Sequence, residues 1–579
     1  MNVVTNGKEL SNSYNLRIFL LLSFLTAFIG LVVLRLFNLQ VINHDYYQAI
    51  ASGQHSFEQT ILPNRGDIYL NSIKENPLLV ATNIDKNLIY ASPKEINDPI
   101  NTASKLAPLL ELTSQEIINR FAQGNPNYVV LQKQVSDEQA DQIAGLGLIG
   151  IHSEPEVVRF YPENNLASHV LGFLGFQADR RVGQYGVEGR FDQVLSGAAG
   201  IEGIESDLAG RWITLGSRNF QPAENGDDIY LTIDPAIQLK AQEVLKSTVE
   251  QHGADRGSVV VINPKTGAIL SLAVYPDFDP NAYNLVDDIG VYSNAVLAAD
   301  YEPGSVFKPI TMAAALNEGV VTPETTYEDT GAVELDEFTI RNSDGEAHGI
   351  QTMNEVLEKS LNTGAVFVEQ QLGHKKFKKY VEEFGFGQLW GVDLPGEVLG
   401  NINNLNKKGE VFFGTASYGQ GITVTPLQLI AAYTAIANGG KLMKPYIVDR
   451  MVHPDETVEQ TFPEQVREVI SPKTAATVSA MMVNVVENGH GKRAAVPGYY
   501  IAGKTGTAQV AYQDRIGYDP SKTIGSFVGF GPVDNPKFLM LVRIDNPKDV
   551  KFAESTAAPA FGEIASFILN YLQIPPPRD

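Results

Sequence analysis

Hydrophobic and polar positions divide this 579-residue chain into three stretches of different rhythm. From Ile18 to Leu34 every residue is uncharged and most are large and apolar, with Arg17 and Arg35 at either end. The pattern stays mostly apolar through Ile42. At about 1.5 Å per residue, a helix over Ile18–Val41 crosses a hydrocarbon core of roughly 30 Å. Arg35 can snorkel to the far interface. A cleaved signal peptide is a rival reading, but no Ala-x-Ala-like site follows and the run is long for an h-region. A buried soluble helix is a third. The expectation is one uncleaved anchor, with Lys8 and Arg17 placing the amino terminus in the cytoplasm.

The second stretch, residues 43 to about 225, alternates short apolar runs with Pro, Gly and Asn punctuation. Pro99–Phe121 has helical apolar spacing, and Gly172–Gly200 is glycine-rich. This predicts an irregular α+β spacer. A boundary near Glu224–Asp227 opens the third stretch. There the pattern predicts strands at Ile229–Ile233, Ser258–Ile262, Ala268–Val274, Tyr499–Ala502 and Phe538–Ile544. Helices are predicted at Ala236–Val249, after Asp234-Pro235 as N-cap and first turn, and at Phe561–Leu572. Strands at both ends with helices between predict one sheet packed by helices. The fold class is α+β, divided into a tail (1–17), a span (18–41), a spacer (42–225) and a terminal domain (226–579).

Charge and composition narrow the chemistry. The formal net charge of −23 lacks the basic footprint of a nucleic-acid binder. Cysteine is absent, which excludes disulfides and thiol catalysis. The nine histidines form no metal-ligand spacing, so no metal and no cofactor are expected.

Three short strings carry the candidate chemistry. Ser305-Val306-Phe307-Lys308 is the one Ser-x-x-Lys in the chain. It follows the turn Tyr301-Glu302-Pro303-Gly304 and opens a helix predicted over Val306–Asn317. Ser305 thus sits near a helix N-terminus that favours a developing oxyanion, with Lys308 one turn away on the same face. A serine N-cap with a surface lysine is the bland alternative.

Lys-Thr-Gly occurs twice. Lys265-Thr266-Gly267 lies in a hairpin turn and is assigned no role. Lys504-Thr505-Gly506 follows a predicted strand, where Gly503 and Gly506 let an extended ligand approach. Lys504 would offer positive charge to a carboxylate, and Thr505 and Thr507 would offer hydroxyls. Gly498–Thr505 also fits a P-loop pattern, but Tyr-Tyr-Ile-Ala prefers a strand and no helix opens after Gly506. Of three Ser-x-Asn strings, only Ser360-Leu361-Asn362 falls between the other two motifs; a helix cap is its bland alternative.

In this order the strings resemble the class B penicillin-binding proteins, the monofunctional peptidoglycan transpeptidases. The resemblance extends to Arg65-Gly66-Asp67-Ile68, although Leu70 stands where an aspartate is usual. It also covers Arg159-Phe160-Tyr161-Pro162, His169–Gly175, Gly186-Val187-Glu188-Gly189, Ser417-Tyr418-Gly419-Gln420-Gly421 and Thr425–Leu429.

The resemblance implies a membrane anchor, a pedestal and a transpeptidase domain with a five-stranded antiparallel sheet. It implies Ser305 as nucleophile, Lys308 as its base, Ser360 as proton relay, Asn362 as amide holder and Lys504 as the second cation. Thr505, Gly506 and Thr507 would bind substrate, and the backbone N–H groups of Ser305 and Thr507 would form the oxyanion hole. The implied ligands are the stem pentapeptide of a lipid-linked precursor, nascent peptidoglycan and β-lactams. A polytopic glycan polymerase and division or elongation proteins are the implied partners. The catalytic domain would lie outside the cytoplasmic membrane, more in the pattern of septal synthesis than of elongation. A D,D-carboxypeptidase or β-lactamase with the same site, or an inactive scaffold or β-lactam sensor, are the competing readings.

Overall fold

A computed structural model describes residues 8–44, 56–177, 180–205, 219–512, 515 and 517–577. The chain forms two compact units, one of Met1–Pro63 with Gly197–Glu224, the other of Asn64–Ser196 with Asn225–Asp579. In the first, a helix over Lys8–Phe37 ends in a π turn at Asn38–Ile42. Leu16–Ile42 has a mean hydropathy of 2.4, long and apolar enough to cross a membrane. Its large side chains, Phe24 and Leu31 among them, are exposed all round, as lipid contact requires and a soluble core helix does not. Ser56–Ile61, Gly200–Glu205 and Asn219–Gln221 form a three-stranded antiparallel sheet in the same unit.

The second unit is built on two sheets. The half that follows residue 226 holds a five-stranded antiparallel sheet of Arg256–Ile262 (β1), Ile269–Tyr275 (β2), Ala502–Ala511 (β3), Tyr518–Gly531 (β4) and Phe538–Asp545 (β5). Their order is β2-β1-β5-β4-β3. The alternation of strand side chains sends Val259 and Val261 to one face and Val260 and Ile262 to the other. All four are fully buried. One face packs against Pro235–Gln251 (α1) and Ala557–Tyr571 (α6) through Ile237, Leu245, Phe561 and Ile564. The other shares its core with Lys308–Asn317 (α2), Pro426–Ala437 (α4) and Pro472–Glu487 (α5). Every residue of α4 is buried, so the sheet rests on a helix enclosed on all sides.

The spacer is more regular than its punctuation predicts. Leu78–Ala91 is a 14-residue strand paired with Ile151–Phe160 and Val129–Val135. Its sheet continues through Ile68–Leu70 and Asp228–Leu231 to Val448–Val452 and Val458–Gln460, so two strands from late in the sequence complete it. The helical spacing of Pro99–Phe121 resolves into two helices, Pro99–Leu110 and Ser114–Gln123. Glu111 turns left-handed between them, and Thr113 starts the second with a capping box to Glu116. The strand predicted at Tyr499–Ala502 is displaced: β3 begins at Ala502 and carries Lys504-Thr505-Gly506 itself. Pairing with β4 makes a strand of glycine-rich backbone that side-chain propensity does not favour.

Three of the spacer strings that resemble the family, those of Arg65, Arg159 and Glu188, meet at one carboxylate. Glu188 is fully buried. Arg65 Nε donates to Oε2 at 2.7 Å, Arg159 Nε to Oε1 at 2.7 Å and the Tyr161 hydroxyl to Oε1 at 3.2 Å. Arg159 Nη1 also donates to the Gly66 carbonyl at 2.8 Å. Burial alone would raise the Glu188 carboxyl, but Arg159 and Arg65 hold it below the usual carboxylate range. Removing one member of a buried ion cluster leaves the others uncompensated, at about 3–5 kcal/mol. Glu188→Gln is therefore expected to lower the unfolding free energy by about that amount in a denaturant titration. A loss below about 1 kcal/mol, the scale of an exposed pair, would contradict this reading.

Candidate active site

Ser305 lies in a single 3-10 turn, Gly304–Phe307, that feeds directly into α2. The Lys308 N–H donates to the Ser305 carbonyl, and Pro309 fits because the first helical positions need no amide donor. The sequence predicts a helix from Val306. The α-helix in fact starts at Lys308, and Ser305 sits half-buried in the tighter turn before it. Buried anchors hold this turn: Tyr433 donates to the Val306 carbonyl at 2.5 Å, and Thr311 to the Ser417 carbonyl at 2.7 Å.

The other two strings arrive from different elements. Lys308 and Lys504 are essentially inaccessible. Lys308 Nζ lies 3.3 Å from Ser360 Oγ and 2.9 Å from Asn362 Oδ1, and also donates to the Ser360 carbonyl. Lys504 Nζ lies 2.9 Å from the same Ser360 Oγ and 3.0 Å from the Thr505 carbonyl. Burial, and then the neighbouring Lys504 cation, push Lys308 well below the ordinary lysine range. Burial alone brings Lys504 down to about 7. Both amines are buried, and burial disfavours the charged form of each.

Ser360 itself is held in the left-handed region, at φ +58°. Such a conformation costs about 1–3 kcal/mol in a residue with a Cβ and persists only where neighbours enforce it. Here the Ser360 N–H donates to Leu357 O at 3.3 Å and the Leu361 N–H to Val356 O at 3.0 Å. Asn362 starts the helix Asn362–Leu372 (α3), with its Nδ2 on the Arg341 carbonyl at 2.8 Å. Behind it stands a support that the sequence did not disclose. Asn342 Oδ1 accepts from the Asn362 N–H at 3.0 Å, Asn342 Nδ2 donates to both Asp329 oxygens, and Thr363 donates to Asp329 at 2.7 Å. No motif or periodicity marks Asp329 or Asn342, whose roles exist only through contacts distant in sequence.

β3 is the edge strand beside the Ser305 turn. A Cβ on Gly506 would lie 2.9 Å from the Pro303 carbonyl and 3.1 Å from the Val306 nitrogen, so this position admits no side chain. Gly304 faces the Thr507 backbone from the other side, bringing the Ser305 and Thr507 segments together. Thr505 is mostly buried, and the Thr507 hydroxyl accepts from the Ala553 N–H at 3.1 Å. Gly419 backs the turn: its carbonyl accepts from the Gly304 N–H at 3.0 Å. The structure thus brings Ser305, Lys308, Ser360, Asn362, Lys504, Thr505, Gly506 and Thr507 together in one region. The second Lys-Thr-Gly string, at Lys265, lies in the β1–β2 turn. No group of three or more acidic or histidine side chains is placed to hold a metal among the described residues.

The sequence pattern of the penicillin binding protein transpeptidase domain matches residues 257–566, and that of the penicillin-binding protein dimerisation domain matches residues 60–231. The chain belongs to the class B penicillin-binding proteins. Among its relatives, stage V sporulation protein D of Bacillus subtilis is 33% identical over 551 residues, covering 94% of this chain and 84% of its own. PbpC of Pseudomonas aeruginosa, named a probable peptidoglycan D,D-transpeptidase, is 31% identical over 548 residues, covering 94% and 93%. The crystal structure of penicillin-binding protein 3 from Mycobacterium tuberculosis complexed with aztreonam superposes with a TM-score of 0.68 at 26% identity, covering 89% of this chain and 98% of that one.

Within this penicillin-binding protein, Gly419 gives a direct test of how the serine turn is held. Its φ is +80°, and a Cβ there would meet the Gly304 carbonyl at 2.4 Å. Gly419→Ala must therefore push the turn away from the loop. It is expected to keep the secondary structure by circular dichroism while labelling by fluorescent penicillin slows about 10-fold or more. Unchanged labelling would mean that the loop does not position the turn.

Proposed function

We propose that this chain is a membrane-anchored, serine-type peptidoglycan D,D-transpeptidase acting through Ser305. The observation that carries the proposal is the meeting of Lys308 and Lys504 on Ser360 Oγ, one turn from Ser305. A serine hydroxyl needs a base within reach, and a buried neutral amine can serve without histidine. Burial and the neighbouring Lys504 cation depress Lys308 well below the ordinary lysine range, which favours its neutral form as the base.

In this reading Ser305 Oγ attacks the penultimate D-Ala carbonyl of a donor stem peptide, and its proton passes to Lys308. The Ser305 and Thr507 backbone N–H groups receive the developing oxyanion, for which one donor is typically worth about 2.7–4 kcal/mol. The carbon–nitrogen bond to the terminal D-Ala then breaks, and the proton held by Lys308 passes through the Ser360 hydroxyl to the leaving amine. Lys504, Thr505 and Thr507 hold the donor carboxylate, while Asn362 holds its amide and Gly506 lets its backbone lie along β3 as an added strand. An amine from a neighbouring stem attacks the acyl-enzyme, which forms the cross-link and frees Ser305. β-Lactams acylate the same oxygen.

The proposed organisation is a tail (1–17), a span (18–41), a pedestal (42–225) and a catalytic domain (226–579) on the extracytoplasmic side. A polytopic glycan polymerase in the same membrane is the proposed partner. The Gly419-Gln420-Gly421 and Thr425–Gln428 context supports a place in septal synthesis over elongation.

The test is cross-linking of lipid-linked precursor by the full-length protein together with a glycan polymerase. Wild type is expected to form peptide dimers and to gain one benzylpenicillin mass at Ser305, and Ser305→Ala to do neither. Release of D-Ala without dimers would assign the site to a carboxypeptidase. Equal penicillin adducts in Ser305→Ala would remove the serine from its role.

A further inference from the structure

Glu302 stands three residues before Ser305, in a string that reads from sequence as a bare turn. Its half-buried carboxylate accepts from two directions. The Gly421 N–H donates to Oε1 at 3.0 Å, and the Tyr518 hydroxyl lies 3.1 Å from Oε1 and 3.0 Å from Oε2. Gly421 closes the loop whose Gly419 backs the serine turn. Tyr518 opens β4 opposite Ala511, at the outer end of the β3–β4 hairpin. Burial favours the protonated carboxyl, and the two donors oppose it by stabilising the carboxylate.

The neighbouring residue makes a companion bridge. The Tyr301 hydroxyl lies 3.0 Å from Ser526 Oγ, and Ser526 pairs with Gly506 across β3 and β4. Arg543, which clasps Asp545 with two hydrogen bonds, stacks over the Tyr301 ring at 4.2 Å. Among the described residues, no backbone hydrogen bond joins the Gly304–Phe307 turn to β3. The spacing between the two oxyanion-binding segments is therefore fixed by steric contact at glycines and by side-chain bridges to β4, one strand further in. Glu302 makes the outer bridge.

We infer that Glu302 is a positioning residue for acylation: its carboxylate clasps the outer end of the β3–β4 hairpin and the 417–421 loop to the turn that carries Ser305. The clasp sets how closely the Ser305 hydroxyl approaches the Thr507 backbone N–H. This inference rests on the reading of Ser305 as nucleophile and adds a residue that touches neither substrate nor the reacting atoms. A misplacement of about 1 Å in a reacting pair can cost about 100-fold in rate. Reach also matters. Aspartate is one methylene short of both donors, whereas glutamine keeps the length and one acceptor oxygen.

The experiment is rapid-mixing acylation of the full-length protein by a fluorescent penicillin, which separates the limiting acylation rate from the apparent affinity, alongside thermal melting. Glu302→Ala and Tyr518→Phe are each expected to lower the limiting rate by about 10- to 100-fold with little change in affinity or melting temperature. Glu302→Gln is expected to recover most of the rate, and Glu302→Asp is not. Tyr518→Phe removes one hydroxyl only, so the result stands even where Glu302→Ala folds poorly. Wild-type rates in both Glu302→Ala and Tyr518→Phe would overturn the inference. So would rate losses that track melting temperature and are equal in Gln and Ala variants. Wild type that fails to label at Ser305 would instead overturn the underlying reading.

Discussion

Two ammonium groups, both cut off from water, meet on one serine hydroxyl. At an effective dielectric of about 20, two unit charges 4 Å apart repel by about 4 kcal/mol, and desolvation adds to that. The pocket escapes this cost if one amine is neutral. Burial and the Lys504 cation depress Lys308 well below the ordinary lysine range, and burial brings Lys504 down to about 7. In the proposed reading, the amine one turn from Ser305 is the base and the cation beside it is the receptor for a carboxylate.

The fold can be read as what makes that burial possible. A strand pair or a single helix could not desolvate two lysines. The five-stranded sheet is buried on both faces, and α4 is buried throughout, so α2 and β3 both start from a rigid base. Glycines at 304, 419 and 506 let three backbones approach without side chains between them. Ser360 is forced left-handed by the helix end before it, which turns its hydroxyl and carbonyl towards Lys308. In the spacer, Glu188 gathers Arg65, Arg159 and Tyr161 in a comparable way, trading two cations against one carboxylate at the centre of the packing.

The chemistry was legible in the sequence because it depends on residue identity at short spacing. Ser305 and Lys308 are three apart, Ser360 and Asn362 two, and Lys504 to Thr507 consecutive. The sheet was legible where strands are apolar, as at β1, β2 and β5. It was displaced at β3, where Tyr499–Ile501 carries the apolar signal but the backbone pairing starts at Ala502. The supports were not legible. Asp329, Asn342 and Thr363 are joined across 13 to 34 residues, and Glu302 to Tyr518 across 216. Polar residues in loops have no periodicity, and their partners are chosen by tertiary packing alone. The convergence of the spacer strings on Glu188 escaped for the same reason, since Arg65 lies 123 positions away.

The most direct test of the two-lysine pocket is a titration of the lysine side chains by carbon-13 NMR, with signals assigned from Lys308→Met and Lys504→Met. The account predicts one lysine titrating near 7, assigned to Lys504, and Lys308 titrating well below the ordinary 10.5. Removing the Lys504 charge should move Lys308 upward, because one of the two causes of its depression is gone. Both lysines titrating close to 10.5, with no response of one to loss of the other, would contradict it.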